Sequence, residues 1–277
     1  MEISEANLNW LQKKSRKVWE QTLLLHARVP EVRIASCLSA TDLLSALFYG
    51  NFLHLQPNRP TATQRDRIIP SKGHGALALY PILADLGYYS ESELEKITKP
   101  DAILSAIPSA GFGIFETING SLGHGLGVGA GMAIALRTRK NPARVVVLHG
   151  DGELSEGAVW EAVMFAGQHQ LQNLYLIIDG NGKSMLGKCD DILCWRNLEQ
   201  RFAAFNWQTF RCNGHDLKEL LLSYNDLFTS TVKQPKVMLA ETVKGHGVAE
   251  LETSDICHVL SLSRERINEL LQQEGEQ

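Results

Sequence analysis

Two unbroken hydrophobic runs in the middle of the chain are separated by a helical pattern. The runs RVVVLH at 144–149 and LYLIID at 174–179 lack polar alternation, as is typical of strands buried on both faces. Apolar residues recur with helical spacing over 156–170, between the two runs. This order predicts a βαβ unit with parallel strands and a right-handed crossover. The alternation continues toward the C-terminus, with strands predicted at 207–211 and 236–242 and helices at 215–228 and 261–273.

The N-terminal part of the chain predicts helices joined by polar loops. Apolar residues recur over 7–28, and Pro30 ends that helix. Further helices are expected at 39–49, with Ser39 or Thr41 as the cap, at 74–87, with Gly87 as a C-cap, and at 90–97. Residues 100–120 are rich in Gly, Ser and Pro and predict a long loop, a kind of segment that is often functional.

A glycine-rich helix is expected at 121–136. Each glycine in a helix interior is about 1 kcal/mol less favourable than alanine. Repeated glycines therefore indicate that another backbone or a ligand approaches this helix closely.

The composition limits the class of protein. The chain has 277 residues, 44% of them hydrophobic, and a formal net charge of −4, which gives no reason to expect nucleic acid or an anionic membrane as a partner. Neither a signal-peptide pattern nor an apolar stretch of membrane-spanning length is found. The five cysteines are irregularly spaced, which favours free thiols in the cytoplasm, and Cys189 and Cys194 lack the second pair that a zinc site needs. Without repeats or linkers, we expect one α/β domain over 1–277.

Polar turns follow the two best predicted strands. The first strand runs into Gly150-Asp151-Gly152 and the second into Asp179-Gly180-Asn181-Gly182. Ligands of open α/β sheets bind at the carboxyl ends of parallel strands. A carboxylate from Asp151, an amide oxygen from Asn181 and backbone carbonyls around Lys183 form an all-oxygen set that suits magnesium and leaves room for phosphate oxygens. The helix that begins near Glu156 would help to hold the anion.

The Gly150-Asp151-Gly152 turn followed by Asn181 is similar to the thiamine diphosphate motif, and the surrounding segments resemble the transketolase family. In particular they resemble the separately encoded N-terminal halves found in some bacteria, and the resemblance covers nearly the whole chain in order. It implies a three-layer α/β/α thiamine-diphosphate-binding fold with a mostly parallel sheet. The matching segments are RDRIIPSKGHGALALY (65–80), ETINGSLGHGLGVGAGMAIA (116–135), GDGELSEGAVWEAVMFAGQHQLQNLYLIIDGNG (150–182) and ETVKGHGV (241–248).

The resemblance implies a role for each matching position at the cofactor's charged end. Asp151, Asn181 and the carbonyl of Lys183 would bind magnesium, and Gly150 and Gly152 would contact the diphosphate.

Four further positions are implied to lie along the cofactor. Gly120 and Leu122 would flank it. His74 would reach the diphosphate or the region of the reacting carbon, and His258 would face the cofactor and help to handle protons. The remaining histidines lack such a match: His215 is interpreted as a helix cap, and His246 carries no motif.

The family's activating glutamate and pyrimidine pocket have no counterpart in this chain. The resemblance therefore implies that a second chain supplies the pyrimidine-binding and C-terminal domains, in an assembly of two such pairs. Glu156 and Glu161 match acidic residues at that contact between the two kinds of chain. The helices 121–136 and 156–170 are the candidates for the apolar face that meets the partner.

Two substrate-side histidines of the family are absent. Arg33 stands where one would be, and the stretch 105–108 replaces the other. A guanidinium carries a fixed positive charge in a planar fork suited to a carboxylate or a phosphate. The changed positions therefore predict an unusual substrate or an unusual acceptor.

The implied reaction is transfer of a two-carbon ketol unit from a ketose (phosphate) donor to an aldehyde acceptor. Two alternatives remain: a subunit of a 2-keto acid decarboxylase and carboligase, or a non-catalytic scaffold that has kept the fold. A dinucleotide-binding oxidoreductase is disfavoured because no strand precedes the glycines of 123–129.

Overall fold

The computed structural model of the chain describes residues 3–108, 114–192 and 197–275. Within these ranges five strands form one sheet in which every pairing is parallel, in the order β1-β2-β3-β5-β4. The strands are β1 (Arg67–Pro70), β2 (Val145–Gly150), β3 (Leu174–Gly180), β4 (Gln208–Asn213) and β5 (Lys236–Glu241).

Helices cover both faces of this sheet. They are α1 (Glu5–His26), α2 (Ile34–Leu38), α3 (Thr41–Tyr49), α4 (Leu79–Asp85), α5 (Gly125–Thr138), α6 (Gly157–Gln168), α7 (Cys189–Ile192), α8 (Leu198–Ala204), α9 (Leu217–Thr229), α10 (Ala249–Thr253) and α11 (Arg264–Gly275). Short 3₁₀ helices lie at Gly73–Ala78, Glu91–Lys96 and Gly152–Ser155.

Alternate residues of the central strands feed two separate hydrophobic cores. In β2, Val146 and Leu148 join the core under α1, α3 and α9, whereas Val145 and Val147 join the core under α5, α6 and α8. Successive strand side chains point to opposite faces, so a strand apolar at every position is buried from both sides. The architecture is therefore the predicted three-layer α/β/α arrangement.

The predicted βαβ unit is confirmed in its elements and its parallel pairing. β2 and β3 are adjacent, with Gly150 opposite Asp179, and α6 lies between them in the chain. The strand β1 was not predicted, because its four residues include an arginine and a proline. The short helices α2, α7, α8 and α10 were also not predicted.

Two of the local expectations at helix ends differ from the structure. The N-cap of α3 is Ala40, without a side-chain hydrogen bond, because Ser39 Oγ donates instead to the buried carboxylate of Asp179 at 2.6 Å. The predicted helix 74–87 begins as a 3₁₀ segment and becomes α-helical only at Leu79. Gly87 follows that helix with a φ of +84°, a left-handed conformation that suits glycine at this position.

The glycines of α5 fall on two faces of the helix. A Cβ at Gly125 would lie 2.4 Å from Ser71 Oγ, and one at Gly129 would lie 2.8 Å from Val147 Cγ2, so these two glycines allow the helix to approach the sheet. Gly127 and Gly131 have nothing within 4 Å of a built Cβ. The first pair explains part of the glycine pattern, and the second pair leaves an open, small-residue face.

Some of the sequence expectations lie outside the described residues. Cys194 is among these, as is the stretch 109–113 of the predicted loop. None of the described helices combines the length and the apolar character needed to span a membrane.

Candidate active site

Two polar turns meet at one edge of the sheet because β2 and β3 are neighbours in parallel. Asp151 directly follows β2, and Asn181 directly follows β3. A backbone hydrogen bond from Asp151 N to Asp179 O, 3.2 Å long, ties the two strand ends together. The predicted oxygen ligands therefore lie at the same carboxyl edge, where α/β proteins bind their ligands.

Asp151 is a buried carboxylate held by backbone amides. One oxygen accepts from Gly152 N at 2.7 Å, and the other accepts from Gly182 N. Burial and the nearby Asp179 raise the pKa of Asp151 to about 6. A cation bound at this carboxylate would offset the cost of burying its charge.

The other two predicted ligands supply neutral oxygens. Asn181 Oδ1 accepts from Lys183 N at 3.2 Å. The carbonyl oxygen of Lys183 accepts from the buried ammonium of Lys244 at 2.6 Å. The donor set fits a hard divalent cation. It consists of one carboxylate, one amide oxygen and one backbone carbonyl, and the carbonyl already faces the positive charge of Lys244.

A cavity of about 350 Å³ opens beside these oxygens. Of the predicted site residues, Glu161 alone is not part of its wall; it lies on the exposed face of α6. The cavity brings together Arg33, His74, Gly120, Leu122, Gly150, Asp151, Gly152, Glu156, Asn181, Lys183 and His258.

Two histidines lie close together in the wall of this cavity. The ring centroids of His74 and His258 are 5.3 Å apart and the planes are tilted by 60°. Burial, helped by the neighbouring lysines, lowers the pKa of His74 to about 3 and that of His258 to about 4. Both rings are therefore neutral at pH 7. Nδ1 of His258 is buried without a hydrogen-bond partner in the described structure.

Lys72, in the wall of the cavity, forms a buried ion pair with Asp179. Lys72 Nζ contacts Asp179 Oδ2 and also donates to Ser36 O at 2.9 Å. Burial alone would raise the pKa of Asp179, but Lys72 and the hydroxyls of Ser39 and Thr242 hold it below its usual range. These contacts join the ends of β1, β3 and β5 to α2.

Glu153 fixes the glycine-rich segment to the sheet. This buried carboxylate accepts from Gly123 N at 2.8 Å and from Ser71 Oγ. Gly123 has a φ of +85°, and a Cβ there would lie 2.6 Å from Glu156 Cβ. Only glycine suits this close turn, which sets the position of the neighbouring Leu122 in the cavity wall.

Arg33 stands at the N-cap of α2 and lines the cavity near His258. Its charge contributes to the lowered pKa of that histidine. Its guanidinium forms no ion pair with any carboxylate in the described part of the chain. An unpaired guanidinium in a cavity is suited to an anionic group of a ligand.

The sequence analysis assigns no role to four buried polar residues of this region: Lys72, Glu153, Asp179 and Lys244. All four lie inside the quoted motifs, so the motifs contained the signal. Their polar side chains were passed over because lysine, glutamate and aspartate are seldom buried, and burial does not show in a single sequence.

Comparison with known proteins gives one matching family, described as "Transketolase, thiamine diphosphate binding domain", over residues 34–277. One subunit of the apulose-4-phosphate transketolase of Phocaeicola vulgatus is 34% identical over 219 residues, which cover 79% of this chain and 77% of that protein. The subunit of the same name from Actinobacillus succinogenes is 34% identical over 257 residues, covering 90% of this chain and 91% of that protein.

A solved structure supports the same likeness at the level of the fold. Transketolase from Campylobacter jejuni superposes with a TM-score of 0.89 at 29% identity. The superposition covers 99% of this chain but 43% of that one, so this chain spans less than half of the longer enzyme.

Proposed function

Because this chain belongs to the transketolase family, we propose that it is the thiamine diphosphate and magnesium binding subunit of a two-chain, transketolase-like transferase. The observation that carries the proposal is the single cavity lined by the predicted oxygen ligands Asp151, Asn181 and Lys183 together with His74 and His258. The family's domain binds thiamine diphosphate. We also propose that the bound ion is magnesium, that two chains of each kind assemble and that the complex is located in the cytoplasm.

The oxygen atoms at the strand ends would hold the cofactor's charged end. Asp151, Asn181 and the Lys183 carbonyl would hold the magnesium ion. The small residues Gly150 and Gly152 leave the strand-end backbone open to the diphosphate. When bound, thiamine diphosphate supplies the nucleophilic carbon that carries the ketol unit between donor and acceptor.

The two histidines would manage protons and orientation without adding charge. Because His74 and His258 are neutral at pH 7, each ring offers one donor and one acceptor. The ring of His258 lines the cavity, where a substrate hydroxyl or carbonyl would meet it. Gly120 and Leu122 would form the apolar wall that excludes water from the reacting atoms.

Two of the relatives are named as one subunit of a transketolase, which implies a partner chain. We propose that the partner covers α5 and α6 and supplies the activating glutamate, in an assembly of two chains of each kind. Exposed apolar side chains favour this face: Val128 on α5 and Met164 and Phe165 on α6 are 39%, 47% and 42% exposed. Glu156, at the start of α6, and Glu161, within it, would meet the partner near the cofactor.

The substrate proposal rests on Arg33 and on the names of the relatives. A ketose phosphate such as apulose 4-phosphate, after which two relatives are named, is the first donor to test. A 2-keto acid is the second, because the unpaired guanidinium of Arg33 suits a carboxylate equally well. A non-catalytic scaffold is disfavoured by the preserved oxygen set around Asp151.

The test is cofactor binding by the chain purified with the partner that it retains. Calorimetry should detect thiamine diphosphate binding that depends on magnesium, and Asn181→Ala should abolish it. Asn225→Ala is the matched control, since its side chain forms an exposed hydrogen bond to Asp226 on α9. Unchanged binding in Asn181→Ala would refute the metal assignment.

Donor assays follow with the same complex. Turnover of a ketose phosphate, lost in Arg33→Met while cofactor affinity is kept, would support ketol transfer and the role of Arg33. Turnover of 2-keto acids alone would favour the carboligase alternative.

A further inference from the structure

A second cluster of ionisable side chains lies outside the cofactor cavity, where α1, α3 and α9 meet the turn after β5. Asp42, His215 and His246 each place a polar atom within 4.8 Å of the others. They border a separate cavity of about 850 Å³. The two imidazoles are stacked, with ring centroids 3.6 Å apart and planes within 21°. His215 is therefore not the helix cap predicted from sequence; Asp216 caps α9 instead.

Hydrogen bonds determine the protonation state of His215. Val243 N–H donates to Nε2 at 2.8 Å, so Nε2 must present its lone pair. Nδ1 lies 2.9 Å from Asp42 Oδ2 and must carry the ring proton. The other oxygen of Asp42 accepts from Ser15 Oγ at 2.5 Å, which fixes the carboxylate. Both hydrogen bonds are made when the single ring proton of His215 is on Nδ1.

The same contacts argue against a metal at this cluster. Nδ1 of His215 could bind an ion only by losing its proton, and the ring would become an anion because Nε2 is already an acceptor. Stacked rings also direct their nitrogen lone pairs side by side, whereas ligands of one ion must converge on it.

The hydrogen bond from Val243 N–H to His215 helps to position Lys244, the next residue in the chain. On the other side, Gly245 N donates to Ala35 O at 2.9 Å, so the backbone is anchored on both sides of Lys244. Lys244 is buried, and its ammonium reaches the carbonyl of Lys183 in the cofactor cavity.

We propose that Asp42, His215 and His246 form a proton-sensitive clamp that positions Lys244 in the cofactor cavity. If His215 takes a second proton, Nε2 becomes a donor that faces the Val243 N–H, and that bond is lost. A positive charge on either stacked ring disfavours a charge on the other, so binding of one additional proton by the pair of rings is more favourable than binding of a second. The proposal rests on the proposed function only for the consequence at the cofactor.

Charged groups face the stacked pair from every element around it. Asp42 Oδ2 is 3.8 Å from His246 Nε2, and Glu252 Oε1 is 3.5 Å from His246 Nδ1. Burial and the facing His215 ring lower the pKa of His246 in spite of these carboxylates. Further charges at the edge of the neighbouring cavity come from α1 and α9: Arg16, Asp216 and Lys218.

The first test is imidazole nitrogen NMR on the wild-type chain. At pH 7.5 the spectrum should show His215 protonated on Nδ1 alone. A proton on Nε2 at pH 7.5, or saturable Zn²⁺ binding that displaces the Nδ1 proton, would overturn the clamp.

The second test is amide exchange of the segment 242–247. The protection factor of the Val243 amide should fall by about tenfold between pH 7.5 and 5.5, as expected for loss of one hydrogen bond. His215→Phe should have the low value at both pH values. His54→Gln, which removes an exposed histidine elsewhere, should behave as wild type. A protection factor independent of pH in the wild type would refute the proposal.

Cofactor affinity is the third readout. In the complex with its partner, His215→Phe should weaken thiamine diphosphate binding at pH 7.5 by about tenfold. Equal affinity of the variant and wild type, with altered exchange, would refute the positioning of Lys244. If wild type binds no cofactor at any pH, the proposed function fails, while the NMR and exchange results still decide the clamp.

Discussion

Two glycines of one helix should respond in opposite ways to the same substitution. Gly129 and Gly131 both lie inside α5, so alanine at either position should add about 1 kcal/mol from helix propensity. Nothing lies within 4 Å of a Cβ at Gly131, so this gain should appear in full. Gly131→Ala should therefore raise the free energy of unfolding by about 1 kcal/mol.

At Gly129 the new methyl group meets the sheet. Its Cβ would lie 2.8 Å from Val147 Cγ2 and 3.4 Å from Leu174 Cδ1, both in the tightly packed core under α5. Overpacking of a core typically costs about 1–3 kcal/mol. After the propensity gain, Gly129→Ala should lower the free energy of unfolding by up to about 2 kcal/mol.

Urea unfolding of the two variants and wild type measures this difference directly. Unchanged slopes with shifted midpoints would attribute the effect to the folded state. The thermal midpoint should shift by about 2–4 °C for each kcal/mol in a chain of this size. If both variants move in the same direction by the same amount, the inferred contact of α5 with β2 and β3 is wrong.

Two further predictions concern buried charge. Lys72→Met should destabilise the fold by about 3–5 kcal/mol, because Asp179 stays buried without its ammonium partner. Urea unfolding tests this prediction, with Lys13→Met at an exposed position as the control. Equal stability of the two variants would contradict the prediction. Burial lowers the pKa of His26 to about 4, so the folded chain binds fewer protons than the unfolded chain between pH 6.5 and 4. The contribution of His26 to the free energy of unfolding should therefore fall by about 3 kcal/mol as the pH drops from 6.5 to 4. A free energy of unfolding that does not change between pH 7 and 4.5 would refute the lowered pKa of His26.

The fold could be predicted from the sequence where burial on both faces of an element requires a run of apolar residues. β2 and β3 are buried on both faces, so each begins with a run of hydrophobic residues, Val145–Leu148 in β2 and Leu174–Ile178 in β3, that lacks polar alternation. β1 was not predicted, because a strand of four residues that begins with Arg67 and ends with Pro70 has too few apolar positions to show a periodic hydrophobic pattern. Short helices such as α2 escaped for the same reason.

The candidate site was predictable as far as its motifs reach. The oxygen ligands follow strands, and strand ends of a parallel sheet meet at one edge, so their proximity follows from the order of elements. The stacking of His215 on His246 depends instead on how α9 packs beside the turn after β5. Residues far apart in sequence, with no shared motif, give no local signal of such a contact.

The wall of the cofactor cavity runs from Arg33 to His258, and the strands beneath it separate two hydrophobic cores. Unfolding of either core would therefore dismantle the binding site. A bound ligand should then raise the melting temperature of the chain as a whole, in one cooperative transition whose shift grows with the logarithm of ligand concentration. Cofactor binding would thus couple the stabilities of the two hydrophobic cores, so that neither core unfolds at a lower temperature than the other.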